Sequence, residues 1–163
     1  MAKIIIVNEN DEMIGLKERA ELLPEDIYRV ATLWITNSKG NILLAQRSKQ
    51  KKHDPGKWGP AVAGTVEENE TYESNIVKEA EEEIGLSGID FQVGPKIRKS
   101  GDHNFFSQRF MVCVDREISE FKIQKDEVGQ IKWFRREDLL KDIEENPDNY
   151  LKNANSWTDR FEG

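Results

Sequence analysis

Apolar residues change their spacing along this chain, and each change marks a different element. Ile4–Val7 is an unbroken apolar run within Lys3–Asn8 and predicts a short strand. Glu9-Asn10-Asp11 reads as a polar turn and Met13–Leu16 as the returning strand, so residues 1–16 are expected to form a hairpin. Residues 17–26 are charged and include Pro24, a connection with room for one helical turn. Tyr28–Thr36 (YRVATLWIT) is dense in β-branched and aromatic residues, Asn37–Gly40 is a turn, and Asn41–Arg47 returns as a strand. Ser48–Lys57 is a basic loop, and Gly59–Val66 is a small, extended segment. Thr71–Ile84 is the clearest helix: Tyr72, Ile76, Ala80 and Ile84 fall four apart in one stripe. Asn69 or Thr71 can cap its start, and Gly85 stands where a left-handed residue ends a helix. Phe105–Val114 and Gln130–Phe134 read as strands. Residues 136–163 form a helical tail, with Leu139, Leu140 and Ile143 turned inward and Tyr150, Leu151, Trp157 and Phe161 expected to dock on the body.

These elements lack a regular βαβ rhythm, so a mixed sheet with helices on its faces fits best, an α/β class. The length of 163 residues predicts one domain spanning 1–163. Ile, Leu, Val and Phe make up about a quarter of it, above the level of disordered chains. A single cysteine, Cys113, excludes a disulfide framework, and two histidines leave little for a histidine metal cage. A net charge of -7 argues against a stable nucleic-acid partner. The N-terminal apolar run is too short for a signal peptide or a membrane span, so a cytoplasmic protein without a membrane partner is expected.

The candidate chemistry lies in Gly64–Leu86, GTVEENETYESNIVKEAEEEIGL. Glu79, Glu82 and Glu83 stand at i, i+3 and i+4, so three carboxylates crowd one helical face. Like charges at this spacing repel, and a divalent cation reverses the sign. Mg²⁺, or Mn²⁺, takes oxygen ligands and commonly bridges to substrate phosphates. Gly64, closing a small-residue strand, lets a backbone carbonyl approach the same ion. The same pattern is also that of a solvated acidic helix face, and Glu73 and Glu81 are read as only that.

With Gly64, Glu70, Glu79, Ala80, Glu82, Glu83, Gly85 and Leu86 in place, the segment resembles the signature of the Nudix hydrolase family; Lys78 departs from it, standing where the family has Arg. The resemblance implies an α/β/α sandwich and metal-dependent hydrolysis of a diphosphate, usually of a nucleoside diphosphate linked to a moiety X, or of a related organic pyrophosphate. It implies that Glu79, Glu82 and Glu83 bind Mg²⁺ with help from the Gly64 carbonyl, and that Glu70 pairs with Lys78 to hold the loop on the helix. Lys78 lacks the planar fork of arginine, which bears on the rigidity of that junction. The general base is either on the signature helix, as Glu82 or Glu83, or on a later loop, as Glu127 with Asp126 as runner-up. Arg47 and Lys57 are candidates to grip phosphate, and Trp58, Phe105 and Phe106 to stack on a flat group.

The stretch before Trp58 also looks like type I isopentenyl-diphosphate isomerases, which share the fold. Those enzymes use a cysteine before the signature glycine and a histidine after it; Ala63 and Thr65 stand there, and Tyr28 replaces a further histidine. A Nudix-fold binding module without activity is the other alternative, although no signature glutamate is missing. The partner expected is a small-molecule diphosphate, and a homodimer is left open.

Overall fold

The computed structural model describes residues 2–152, Ala154 and Trp157. Its strands are β1 (Ile4–Val7), β2 (Met13–Lys17), β3 (Ile27–Thr36), β4 (Ile42–Arg47), β5 (Trp58–Pro60), β6 (Val62–Thr65), β7 (Gln92–Lys99), β8 (Asn104–Cys113) and β9 (Val128–Phe134), and its helices α1 (Tyr72–Ile84) and α2 (Arg136–Glu145). None of the helices among the described residues is long and apolar enough to cross a membrane.

Strand β3 organises everything else, because its residues are needed on both faces. Ala31, Leu33 and Ile35 pack with Ile76, Ala80 and Ile84 of α1, while Trp34 joins Leu139 and Ile143 of α2 on the opposite side. The period of two along a strand makes this division. β4 repeats it, with Leu43 and Ala45 toward α1 and Ile42 and Leu44 toward α2. Burial on both faces explains why these strands read as near-continuous apolar runs. The result is an α/β/α sandwich.

The sheet is mixed. β3 runs parallel to β8 along its whole length, Ile27↔Asn104 to Thr36↔Cys113. Its other edge is shared in succession by β1, β6 and β4, all antiparallel. β4 in turn pairs with β5 and β9, and β7 pairs with β8.

Two elements differ from the expectation. The extended segment 59–66 is two strands, split at Ala61, because β5 pairs with β4 and β6 with β3. Strand β7 was not signalled at all. It carries Gly94 and Pro95, turn residues that fall where its register with β8 shifts between Val93 and Lys96. Such residues are tolerated in a strand at a bulge or an edge. The tail docks through Tyr150, which is 1% exposed, and Trp157; Phe161 lies outside the described residues.

The N-terminal hairpin is tied to the body by Asp11, which adopts a positive φ of 60°. Its carboxylate accepts from Arg29 Nε at 2.8 Å, from the Tyr72 hydroxyl at 2.8 Å and from Lys96 Nζ at 2.8 Å. One side chain thus joins the hairpin turn, β3, the first residue of α1, and β7.

Candidate active site

The signature segment turns from β6 into α1. Thr71 caps the helix: its hydroxyl accepts from the Ser74 N–H at 3.0 Å, and the Ser74 hydroxyl accepts from the Thr71 N–H at 2.9 Å. Gly85 ends it with a φ of 69°, and its N–H bonds to Glu81 O at 3.0 Å. A helix fixed at both ends holds its polar face at a fixed angle to β6.

The junction is pinned by Glu70. One oxygen accepts from the Glu67 N–H at 2.8 Å and from Asn75 Nδ2 at 3.0 Å; the other meets Lys78 Nζ at 2.5 Å. Lys78 also reaches Glu67 at 3.4 Å and Glu79 at 3.6 Å. Burial opposes ionisation of Glu70, but Lys78 and the two N–H donors hold its carboxyl below the usual range. A single ammonium therefore covers with three carboxylates what a guanidinium fork would do bidentately with one.

Gly64 packs directly against the helix. A Cβ there would lie 2.6 Å from Glu79 Cγ and 2.8 Å from Asn75 Oδ1, so no side chain fits. Glu79 and Glu83 face the same side one turn apart. Burial, followed by the charges of Glu79 and Glu127, pushes the Glu83 carboxyl up to about 8. Burial also raises Glu79, with Lys78 opposing it and Glu82 adding to it. Glu83 Oε2 is buried with no hydrogen-bond partner, as is Asn75 Oδ1. Glu82 is exposed, and among the described residues no three acidic or histidine side chains already form a closed cage.

This donor set fits a hard divalent cation. Two crowded, partly buried carboxylates stand on one face; Lys78 reaches Glu79 at 3.6 Å, while Glu83 keeps an orphaned oxygen. A cation would satisfy the oxygen and relieve the repulsion.

Across from Glu83 stands Glu127, whose carboxylate is paired with Lys51. The Glu127 carbonyl also accepts from the Ser48 N–H at 3.1 Å, which fixes the basic loop to the strand β9 entrance. Arg47, Lys51, Glu83 and Glu127 line one small polar hollow of about 80 Å³. Asp126 is exposed and does not line it. Pro60, Ala63 and Leu151 line this hollow and also a chamber of about 710 Å³ on the α2 side of the sheet. Ala63 thus lies between the two spaces with no proton to give.

The remaining candidates scatter. Arg47 lines the hollow, but its Nε donates to the His53 carbonyl at 3.0 Å. Lys57 lines neither space. Trp58 stands edge-on to Phe134 at 5.2 Å within the α2 core and is taken up by packing. Phe106 is buried with Ile5, Val7, Ile27 and Val66, because the β8 alternation turns it away from the chamber; its neighbour Phe105 lines the chamber instead. Lys51 appeared in the sequence only as one of several loop cations. Asn75 and Arg109 are buried polar residues that the apolar spacing of the sequence does not single out.

Residues 27–154 match the family model of the NUDIX domain. The chain belongs to the Nudix family. This Nudix protein is 30% identical over 139 residues to an uncharacterized Nudix hydrolase, lmo0368, of Listeria monocytogenes, covering 82% of this chain and 80% of the relative. It is 32% identical over 150 residues to a protein named prenyl-diphosphate phosphatase from Methanosarcina mazei, covering 88% and 85%. Among solved structures it matches DR0079 from Deinococcus radiodurans with a TM-score of 0.83, 23% identity and 99% of each chain covered, a likeness of fold. The Nudix chain is accordingly a hydrolase of diphosphate bonds, of a family that uses divalent metal ions.

Proposed function

We propose that this Nudix hydrolase is Mg²⁺-dependent and cleaves a small organic diphosphate, either a nucleoside diphosphate linked to a moiety X or a related pyrophosphate. The orphaned Oε2 of buried Glu83, facing Glu127 across a polar hollow, carries this reading. Glu79 and Glu83, with Glu82 at the exposed edge and the Gly64 backbone beside them, would hold the ion. When bound, Mg²⁺ supplies positive charge to the diphosphate oxygens and acidifies a coordinated water.

The chain's own residues do the rest. Arg47 and Lys51 place positive charge in the hollow where phosphate oxygens would rest. Glu127 accepts the proton of the attacking water at its carboxylate, and Lys51 holds that carboxylate toward Glu83. The chamber next to the hollow takes the organic moiety. Its walls are at the scale of a ligand pocket. We take residues 1–163 to work as one unit, as the Asp11 ties support, and to act in the cytoplasm on small molecules, with the net charge of -7 disfavouring nucleic acid.

The test is phosphate release from a panel of nucleoside diphosphate derivatives and prenyl diphosphates, with Mg²⁺ and with chelator. Hydrolysis of at least one compound, lost with chelator, is expected. On that substrate Glu127→Gln should lower kcat by about 10²–10⁴-fold. A kcat within threefold of wild type would return the base to the helix, an effect well below the range for a general base, roughly a hundredfold or more.

A further inference from the structure

The floor of the large chamber holds a guanidinium that no carboxylate of the described residues pairs with. Arg109 lies on β8 and is 8% exposed. Phe110 and Val112 turn toward α1, so Arg109, with Ser107 and Phe105, turns to the other face and lines the chamber. Among the described residues its guanidinium makes no hydrogen bond, ion pair or ring contact. Among the described residues Arg109 shares the buried polar set with Ser48 and Asn75, and it is the charged residue of that set.

Its position is built. Arg109 sits opposite Thr32 of β3, which lines the same chamber. On its other side β7 bulges, and Gln108 Nε2 locks that bulge by donating to Gly94 O at 2.7 Å and to Arg109 O at 3.1 Å. Gly94 lies close against this part of β8: a Cβ there would come 3.3 Å from Arg109 O and from Met111 Cε. The unsignalled strand β7 thus has a use: its bulge shapes the chamber around this side chain.

None of the Arg109 nitrogens is among the sealed, unpartnered polar atoms, so the guanidinium is open to water through the chamber, and covering it with hydrocarbon would strip that water at a cost. Its fork matches two adjacent acceptors. We propose that Arg109 is a specificity residue for the organic moiety, selecting one that presents two adjacent hydrogen-bond acceptors over a bare hydrocarbon tail. This rests on the reading of the neighbouring hollow as the diphosphate site. The acceptor pair is either an oxyanion or a nucleobase edge, and the two sources separate experimentally. Phe105, Trp34 and Ile97 supply flat and apolar walls around that polar point.

Binding is measured calorimetrically in chelator, so that neither metal nor turnover enters. The probes are cytidine and guanosine 5′-monophosphates for the base edge, glucose 1,6-bisphosphate for the oxyanion, and geranyl monophosphate for the hydrocarbon tail. At least one acceptor probe should bind wild type about tenfold or more tightly than Arg109→Met, the scale of one bidentate contact. Geranyl monophosphate should bind the variant as well as wild type, or better. The melting temperature of Arg109→Met should not fall below that of wild type, since no hydrogen bond or ion pair of the described residues is lost with the guanidinium.

Equal affinity of every acceptor probe for wild type and variant overturns the proposal. So does a wild type that prefers geranyl monophosphate to all of them. A variant that melts lower and loses all four probes alike makes Arg109 structural, which also overturns it. Should Arg109→Met not fold, Arg109→Lys keeps the charge, loses the fork and takes the same comparison. Because no metal is present, binding as stated without hydrolysis in the diphosphate panel would defeat the hydrolase reading alone.

Discussion

At the scale of single residues, Glu83 stands out by one buried oxygen without a hydrogen-bond partner. Its folded pKa of about 8 lies far above the value of about 4.3 expected for an unfolded glutamate. Without metal, the folded chain therefore keeps a proton that the unfolded chain gives up. Stability from this group is full below about pH 4 and is lost as pH rises through about 8. Urea midpoints in chelator should fall between pH 5 and pH 9, and Glu83→Gln should flatten that decline. Adding Mg²⁺ at pH 8 should raise the wild-type midpoint and leave the variant nearly unmoved. A decline of the same slope in both proteins would remove Glu83 from the account.

At the scale of elements, the junction of β6 with α1 decides where the carboxylates stand. Gly64 is needed for closeness, not for a special φ: a methyl group there would collide with Glu79 Cγ at 2.6 Å. Gly64→Ala should therefore displace Glu79 and cut the Mg²⁺-induced thermal shift by more than it lowers the metal-free melting temperature. Equal losses in both would mean general strain. Lys78 is the second control. Replacing it by Met leaves Glu70, half-enclosed and bonded to the Glu67 N–H, without its cation, and should cost about 1–3 kcal/mol in denaturant titrations. Lys78→Arg should fold as stably as wild type within about 1 kcal/mol, since charge and reach are kept, as for other surface-near pairs.

At the scale of the whole molecule, one carboxylate ties the N-terminal hairpin to β3, α1 and β7. Asp11 is 7% exposed and joins Arg29, Lys96 and Tyr72. The Tyr72 phenol is pushed up by burial and by this carboxylate, so it stays a donor at any ordinary pH. Asp11→Ala would leave Arg29 with only the residue-11 carbonyl and take the acceptor from Tyr72 and Lys96, and should cost about 1–3 kcal/mol. Hydrogen exchange should then show the amides of β1 and β2 opening separately from those of β3; in wild type they should open together. Protection of the hairpin unchanged in the variant would show that strand pairing alone holds it.

The sequence by itself determined the local things. Period-four apolar spacing, a capping threonine and a terminal glycine specify α1, and the spacing of Glu79, Glu82 and Glu83 puts three carboxylates on one side of it, because a helix converts sequence interval into angle. The order of elements, without a regular βαβ rhythm, likewise pointed to a mixed sheet with helices on its faces. Only tertiary structure decided the rest, because strands far apart in sequence meet by pairing, and no local interval records that. Pairing of β3 with β8 set Arg109 beside Thr32 and sent Phe106, not Phe105, into the core. The turn into β9 brought Glu127 against Lys51 and Glu83, while packing against Phe134 drew Trp58 out of the list of substrate contacts. Depth did what composition could not: two glutamates of one helix face, Glu82 and Glu83, read alike along the chain, and burial alone separates the exposed one from the one whose proton and orphaned oxygen define the site.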